Sequence, residues 1–188
     1  MKRWLTSLCL VMLVMGAAAC TPAPPPAPAP PPPSTAIRDS IAGPYNTVKG
    51  YITKALPLVP DNRLNFRPTP DVRSLGQLFG HVADANYLFC GVVAGSRPEG
   101  TGKAEELKTK AELSKSLADS FAYCDKALDS LNDQTGAAAV TIEFINNMPS
   151  TKLGVMAFNS AHDWEHYGNI VTYLRIKGMV PPSSQPRP

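Results

Sequence analysis

The stretch of sequence that decides the fold runs Phe158-Asn-Ser-Ala-His162-Asp-Trp-Glu-His166-Tyr-Gly-Asn-Ile170-Val-Thr-Tyr173. Its apolar residues and both histidines recur every three or four positions, which is the spacing of one face of an α-helix. We therefore predict a helix from about 150 to 177, with Ser150 as its N-cap and Gly178 after its end. Because the two imidazoles share the apolar face of this helix, we expect them to point into the protein.

Three earlier segments also carry apolar residues at helical spacing. We predict helices near residues 37–56, 71–94 and 103–131. Gly43-Pro44 either kinks the first of these helices or marks its start. Since the connections are short, the most economical architecture is an all-α, up-and-down four-helix bundle over residues 36–184. The alternating segment 140–144 would form a short strand or cover one end of the bundle.

Cys90 and Cys124 are the two cysteines within the predicted bundle. If the third helix folds back on the second, the two residues differ in height by about 17 residues, or roughly 25 Å at 1.5 Å per residue. A disulfide requires Cα atoms within about 7 Å of each other. We therefore expect two free, buried thiols.

The N-terminal residues 1–19 have the organisation of an export signal. Two basic residues precede an apolar run from Leu5 to Met15, which is shorter than the roughly 20 residues of an ordinary membrane span. Small residues then lead to Cys20, so the segment resembles a bacterial lipoprotein signal, which implies acylation of Cys20 and a membrane anchor. The alternative is simple cleavage after Ala19, which would release a soluble periplasmic protein. Either way we expect an exported protein.

Residues 20–35 are dominated by proline, which favours polyproline II over helix or strand. This segment would form a semi-rigid spacer of roughly 40 Å between the anchor and the bundle. It would hold the bundle clear of a membrane surface.

The charge balance argues against nucleic acid as a partner. The net charge of the whole chain is +3, and it falls by two when Lys2 and Arg3 leave with the signal. A protein that binds the phosphate backbone needs a clustered basic surface, which a nearly neutral chain does not provide. We expect no nucleic-acid partner.

The chain has three histidines, and the third, His81, lies at the edge of the apolar stripe of the predicted second helix. In an up-and-down bundle the second and fourth helices run in the same direction, which puts His81 at nearly the height of His162 and His166. Three imidazoles in an apolar interior would leave ring nitrogens without partners, whereas a divalent metal ion binds one nitrogen from each. The alternative is a pair of ordinary core or groove histidines on the last helix, satisfied by neighbouring groups.

Three nitrogen ligands without a fourth protein ligand would form an open site, where water or a substrate thiol takes the remaining position. Zinc, nickel and iron(II) all suit imidazole, and availability favours zinc. No catalytic base can be assigned from the sequence. Candidates for residues that support the ligands, although an ordinary solvated helix residue is the favoured interpretation of each, are Asp84, Asn159, Asp163, Glu165 and Asn169.

The chain resembles the DinB/YfiT family of metalloenzymes through Ser74-Leu-Gly-Gln-Leu-Phe-Gly-His81 and through His162-Asp-Trp-Glu-His166-Tyr-Gly-Asn-Ile170 with the trailing Gly178 and Pro181-Pro182. The resemblance spans about residues 37–184. It implies a four-helix bundle in which His81, His162 and His166 bind one divalent metal ion. This chain has Asn169 where the family commonly has glutamine. Some members of that family transfer low-molecular-weight thiols and others resemble hydrolases, and no DNA binding follows from the family name.

Two functions from different classes follow from these observations. The first is a metal-dependent thiol transferase or hydrolase that acts on a small molecule, although export disfavours thiol transfer because the usual thiol cofactors are cytosolic. The second is a non-catalytic lipoprotein that holds a metal ion or a small ligand at the cell envelope. A haem or di-iron bundle is disfavoured because Glu-x-x-His and Cys-x-x-Cys-His are both absent. The oligomeric state stays open and includes a homodimer.

Overall fold

Four long helices and one short hairpin make up most of residues 30–186, the part of the chain that this computed structural model describes. The long helices are α1 (Ala36–Leu58), α2 (Leu75–Ala94), α3 (Lys110–Asp129) and α5 (Lys152–Ile176), and a single turn, α4 (Asp133–Gly136), follows α3. The strands β1 (Ala139–Ile142) and β2 (Met148–Thr151) pair in antiparallel fashion before α5. Short 3₁₀ turns occupy Asp61–Arg63, Ala104–Glu106 and Pro182–Ser184.

Side-chain caps fix where α2 and α3 begin. Ser74 accepts a hydrogen bond from the backbone N–H of Gln77, and the Gln77 side chain accepts one from the backbone N–H of Ser74. Thr109 and Glu112 make the same reciprocal pair at the start of α3. Such a pair satisfies backbone donors that a helix start would otherwise leave without partners. The caps place both starts a few residues later than the apolar periodicity predicts.

Helix α3 runs parallel to α2, which corrects the predicted up-and-down order. Early in α2 a Cβ on Gly76 would lie 3.6 Å from Cδ1 of Leu113, near the start of α3. Further along, Nδ2 of Asn86 donates to Oγ of Ser120 at 3.3 Å. The reason is the connection 95–109, which returns along α2 and packs its 3₁₀ turn there before α3 begins.

Helix α5 runs antiparallel to α2. Oη of Tyr173, near the end of α5, donates to the backbone carbonyl of Arg73, just before α2 (3.1 Å). Nδ2 of Asn159, in the first half of α5, donates to Oδ1 of Asn86 in the second half of α2 (2.9 Å). The prediction of an all-α four-helix bundle is confirmed. The prediction that the second and fourth long helices share a direction is wrong.

A disulfide between Cys90 and Cys124 joins α2 to α3, so the prediction of two free thiols is also wrong. The two Cα atoms lie 5.2 Å apart. The large separation predicted for the two cysteines assumed that α3 folds straight back on α2. Parallel helices instead bring Cys90 and Cys124 to the same height. Both residues are fully buried.

The core lies between the four long helices and is apolar. Helix α1 contributes a buried stripe at helical spacing, namely Tyr45, Val48, Ile52, Ala55 and Leu56. Its neighbour α3 runs the opposite way, since Oη of Tyr45 donates to Oδ1 of Asp125 at 3.0 Å while the backbone N–H of Ile37 reaches Asp133 beyond the end of α3. Each fully buried large side chain contributes about 1.5–3 kcal/mol.

Several predictions fall on residues that the structure does not describe, namely 1–29 and 187–188. The signal segment 1–19, the acylation site Cys20 and most of the linker 20–35 lie there. Within residues 30–186, no helix combines the length and the apolar character that crossing a lipid bilayer requires.

Candidate metal centre

The three imidazoles of the chain meet between α2 and α5. The ring of His81 lies 5.2 Å from that of His162 and 4.6 Å from that of His166, measured between centroids. The Nε2 atoms of His162 and His166 are 3.0 Å apart. One ring nitrogen from each of the three residues lies within 4.8 Å of the others, so the group could hold one metal ion.

The helix positions explain why the rings meet although the direction assumed for them is wrong. His81 lies in the first half of α2, and His162 and His166 lie one turn apart near the middle of α5. A residue near the middle of a helix keeps its height when the helix is reversed. The antiparallel arrangement therefore brings the same three residues together.

Burial keeps the two histidines of α5 neutral. It lowers the pKa of His162 to about 4, with a smaller contribution from the charge of His81. It lowers the pKa of His166 to about 3, helped by the charges of His162 and His81. An imidazole must be unprotonated at the nitrogen that binds a metal, so both rings are in the ligating state at neutral pH.

Glu105 holds the ring of His81, and the sequence analysis missed it. Its Oε1 lies 2.7 Å from Nδ1 of His81, and its Oε2 accepts a hydrogen bond from Nε of Arg73 at 3.0 Å. Burial would raise the pKa of Glu105, but the hydrogen bonds from Arg73 and His81 outweigh burial and lower it. An ionised carboxylate only accepts, so Nδ1 of His81 must donate, which leaves the Nε2 lone pair free for a ligand.

Two residues of α2 hold the 3₁₀ turn that carries Glu105 against this helix. They are Asp84, three positions after His81, and Gly80, one position before it. The carboxylate of Asp84 accepts from the backbone N–H groups of Ala104 (2.9 Å) and Glu105 (3.2 Å). A Cβ on Gly80 would lie closer than 3.0 Å to the backbone of Ala104, so only glycine permits this approach. Asp84, one of the candidates for supporting the ligands, therefore acts indirectly. It positions the turn, and Glu105 on that turn contacts His81.

Asn159 and Asp163 lie in the core and make no hydrogen bond to an imidazole. Nδ2 of Asn159 bonds to Asn86, and both carboxyl oxygens of Asp163 are buried without a hydrogen-bond partner among the described residues. Burial raises the pKa of Asp163 well above its ordinary value, which favours the neutral form of this carboxyl.

Glu165 and Asn169 are exposed and line cavities that reach the histidines. One cavity, of about 440 Å³, is mostly apolar and includes His81, His162 and Glu165 in its lining. The other, of about 520 Å³, is polar and is lined by Arg73, Glu105, Glu165, His166 and Asn169 among others. His81 and His162 are therefore accessible from the apolar cavity, and His166 is accessible from the polar one.

The residues present fit a divalent ion that favours nitrogen ligands. Two ligands at about 2.0–2.1 Å from one ion lie roughly 3 Å apart, which is the spacing between the Nε2 atoms of His162 and His166. Their buried Nδ1 atoms have no hydrogen-bond partner among the described residues, so neither ring is engaged elsewhere in the protein. The donor set of three neutral imidazoles suits zinc, nickel and iron(II) alike.

A comparison with protein families found a match over most of the bundle. The model of the DinB superfamily matches residues 47–170, a span that begins in α1 and includes all three histidines. The chain belongs to the DinB superfamily. A search of curated proteins found no match.

Three solved structures share the DinB superfamily fold of this chain. A DinB-like protein from Bacillus cereus ATCC 10987 is 16% identical, with a TM-score of 0.67 over 77% of this chain and 95% of its own. A DinB-like protein from Bacillus subtilis is 17% identical, with a TM-score of 0.61 over 79% and 99%. A conserved protein from Enterococcus faecalis is 16% identical, with a TM-score of 0.60 over 73% and 95%. At these identities the likeness concerns the fold alone.

Proposed function

We propose that this member of the DinB superfamily is a divalent-metal-dependent enzyme, a transferase or hydrolase, in which His81, His162 and His166 bind the ion. The observation that carries the proposal is the convergence of three ring nitrogens within 4.8 Å of one another beside two cavities. A bound divalent ion would supply a Lewis acid that activates water or a thiol. We propose zinc as the ion, since it suits imidazole and is widely available.

The protein's own residues would prepare the site in three ways. Burial keeps His162 and His166 neutral, and Glu105 fixes the orientation of His81. The two cavities beside the histidines leave a route by which a small molecule could reach the ion. In metal sites generally, a hydrogen-bond partner such as Glu105 keeps a histidine ligand in its orientation.

The test is metal analysis of the purified protein, of the three single variants His81→Ala, His162→Ala and His166→Ala, and of Asp119→Ala as a control. Asp119 is an exposed carboxylate on α3 that reports adventitious binding to acidic groups. We expect one ion per chain in the parent and in the control, and a strong loss in each histidine variant. A parent protein that binds no ion in chelator-buffered zinc, nickel or iron(II) would overturn the proposal.

Turnover separates an enzyme from a binding protein. Model esters and a thiol with an electrophilic acceptor would be assayed with metal-loaded parent and His162→Ala. Turnover that disappears together with the ion supports the enzyme. An ion that binds without any turnover, together with a ligand-binding profile that survives chelation, supports the non-catalytic envelope protein instead.

We also propose that the protein is exported and anchored to a membrane through acylated Cys20. The buried disulfide between Cys90 and Cys124 supports export, because stable structural disulfides form mainly in oxidising compartments. Fractionation of cells that express the parent and Cys20→Ala tests the anchor. We expect the parent with the membranes, and a parent found only in the soluble periplasmic fraction would favour simple cleavage after Ala19.

A further inference from the structure

The apolar cavity beside the candidate metal centre has a volume of about 440 Å³, within the range of small-molecule sites. It lies between α2, α5 and the loop that joins β1 to β2. The imidazoles of His81 and His162 form part of its wall. A molecule in this cavity would therefore reach the site of the proposed ion.

Three phenylalanines line the cavity. The ring of Phe89 lies 5.0 Å from that of Phe144, 5.3 Å from that of Phe158 and 5.5 Å from that of His162, measured between centroids. Phe89 is buried, whereas Phe144 is 44% exposed and Phe158 is 39% exposed. Two large aromatic side chains are thus partly open to solvent next to a third, which makes an apolar surface available to a ligand.

The β-hairpin fixes Phe144 in this position. Asn146 and Asn147 have positive φ angles of 49° and 54°, which reverse the chain between the strands. The backbone N–H of Met148 donates to the carbonyl of Ile145 at 2.9 Å, and Ile142 at the end of β1 is fully buried. The predicted short strand in segment 140–144 is thus confirmed as β1, and the hairpin forms a wall of the cavity.

In the metal-free protein, the charges around the cavity select against an anion. Its lining includes one carboxylate, that of Glu165, and no lysine or arginine. Without a bound ion, a charged group inside this apolar cavity loses hydration without gaining a partner. A carboxylate or phosphate there would in addition be repelled by Glu165.

We propose that this cavity binds an uncharged apolar part of the substrate, an aryl group or an acyl chain, and directs the polar part of the same molecule to His81 and His162. The inference rests on the proposed function, because the polar part would meet the ion there. Phe144 and Phe158 would determine specificity through contact with the apolar part. The reaction would accordingly act on amphiphilic small molecules rather than on small hydrophilic ones.

The test uses calorimetric titration of the metal-free protein with phenylbutanol, octanol and phenylbutyrate. Phenylbutanol carries an aryl group, and the alkyl chain of octanol represents an acyl chain. Phenylbutyrate is the anionic counterpart of phenylbutanol. We expect at least one alcohol to bind about ten-fold more tightly than phenylbutyrate. Binding of phenylbutanol alone assigns the aryl group, and binding of octanol alone assigns the acyl chain. Equal binding of the anion, or no binding of either alcohol, would overturn the inference.

The variants Phe144→Ala and Phe158→Ala locate the binding site, with Ile176→Ala as the matched control. Ile176 is also a large apolar residue, 54% exposed, but it lies at the end of α5 and outside the cavity lining. We expect each phenylalanine variant to weaken alcohol binding about ten-fold and the control to leave it unchanged. Thermal unfolding of each variant verifies that the fold persists. Equal effects of all three substitutions would overturn the assignment.

Metal titration of the same samples separates this inference from the proposed function. If the parent binds the alcohol but no ion, the metal-dependent function fails while the cavity assignment stands. If Phe144→Ala and Phe158→Ala bind the ion normally and the parent does not bind either alcohol, only the cavity assignment fails.

Discussion

Glu105 Oε1 lies 2.7 Å from Nδ1 of His81, although the two residues are 24 positions apart in the chain. The contact exists because residues 95–109 return along α2 instead of leading straight into α3. It fixes which ring nitrogen of His81 faces His162 and His166. The geometry of the candidate metal centre therefore depends on a loop residue.

Replacement of Glu105 by glutamine should weaken metal binding. The amide keeps the size of the side chain but loses the charge that favours Nδ1–H on His81, so the ring can turn or change tautomer. Loss of such a partner typically lowers metal affinity 10–100-fold, and competition against a chelator measures it. Glu106→Gln is the control, because Glu106 is exposed on the same turn. Equal affinities for the two variants would contradict a role for Glu105.

Gly80→Ala should destabilise the protein and displace the turn that carries Glu105. The added Cβ would come closer than 3.0 Å to backbone atoms of Ala104, which cannot move as a side-chain tip can. We expect a loss of about 1–3 kcal/mol in the free energy of unfolding. Gly168→Ala is the control, since no atom lies within 4 Å of a Cβ there and alanine should stabilise helix α5 by about 0.5–1 kcal/mol. Denaturant titration measures the free energy of unfolding of both variants. A Gly80→Ala protein as stable as the parent would show that the turn can shift freely.

The double variant Cys90→Ala, Cys124→Ala should be less stable than the oxidised parent by about 3–4 kcal/mol. The disulfide closes a loop of 34 residues, and its removal restores conformational freedom to the unfolded chain. Chemical denaturation measures the difference. A reductant should lower the stability of the parent by a similar amount and leave the double variant unchanged. If unfolded, non-reduced protein reacts with a thiol reagent at both cysteines, the disulfide is absent in solution.

Acid should destabilise the metal-free protein between about pH 6.5 and pH 3. Burial lowers the pKa of His162 to about 4 and that of His166 to about 3, from an ordinary value of 6.5. As the pH falls through this window the unfolded chain gains protons that the folded chain does not, so the free energy of unfolding decreases. Denaturant titrations at several pH values would show this slope.

The control for the acid effect combines His162→Gln and His166→Gln in an Asp163→Asn background. Burial raises the pKa of Asp163, and a raised pKa gives stability at low pH that is lost as the pH rises, opposite in sign to the histidines. The Asp163→Asn single variant should therefore show a steeper loss in acid than the parent. The combined variant should lose most of the slope that Asp163→Asn shows. A combined variant with the slope of Asp163→Asn alone would mean that the two histidines do not cause it.

Much of the candidate site could be read from the sequence. The spacing of His162 and His166 on an apolar helix face indicated that both rings point inward, and His81 on another apolar stripe indicated where a third could come from. Asp84, Asn159 and the other proposed supports were less well predicted. Glu105 carried no signal, because a loop glutamate at no fixed spacing from its partner looks like any solvated acid.

The sequence by itself determined where the four long helices lie, apart from their first residues, and which face of each helix is buried, because the 3.6-residue period is a local property of the chain. Only the tertiary structure decided that α2 and α3 run parallel, that Cys90 meets Cys124, and that Glu105 reaches His81. Each of these depends on the path of residues 95–109, which is set by packing of the turn against Gly80 and Asp84. Helical periodicity is unchanged when a helix is reversed, so no local pattern could have supplied the direction.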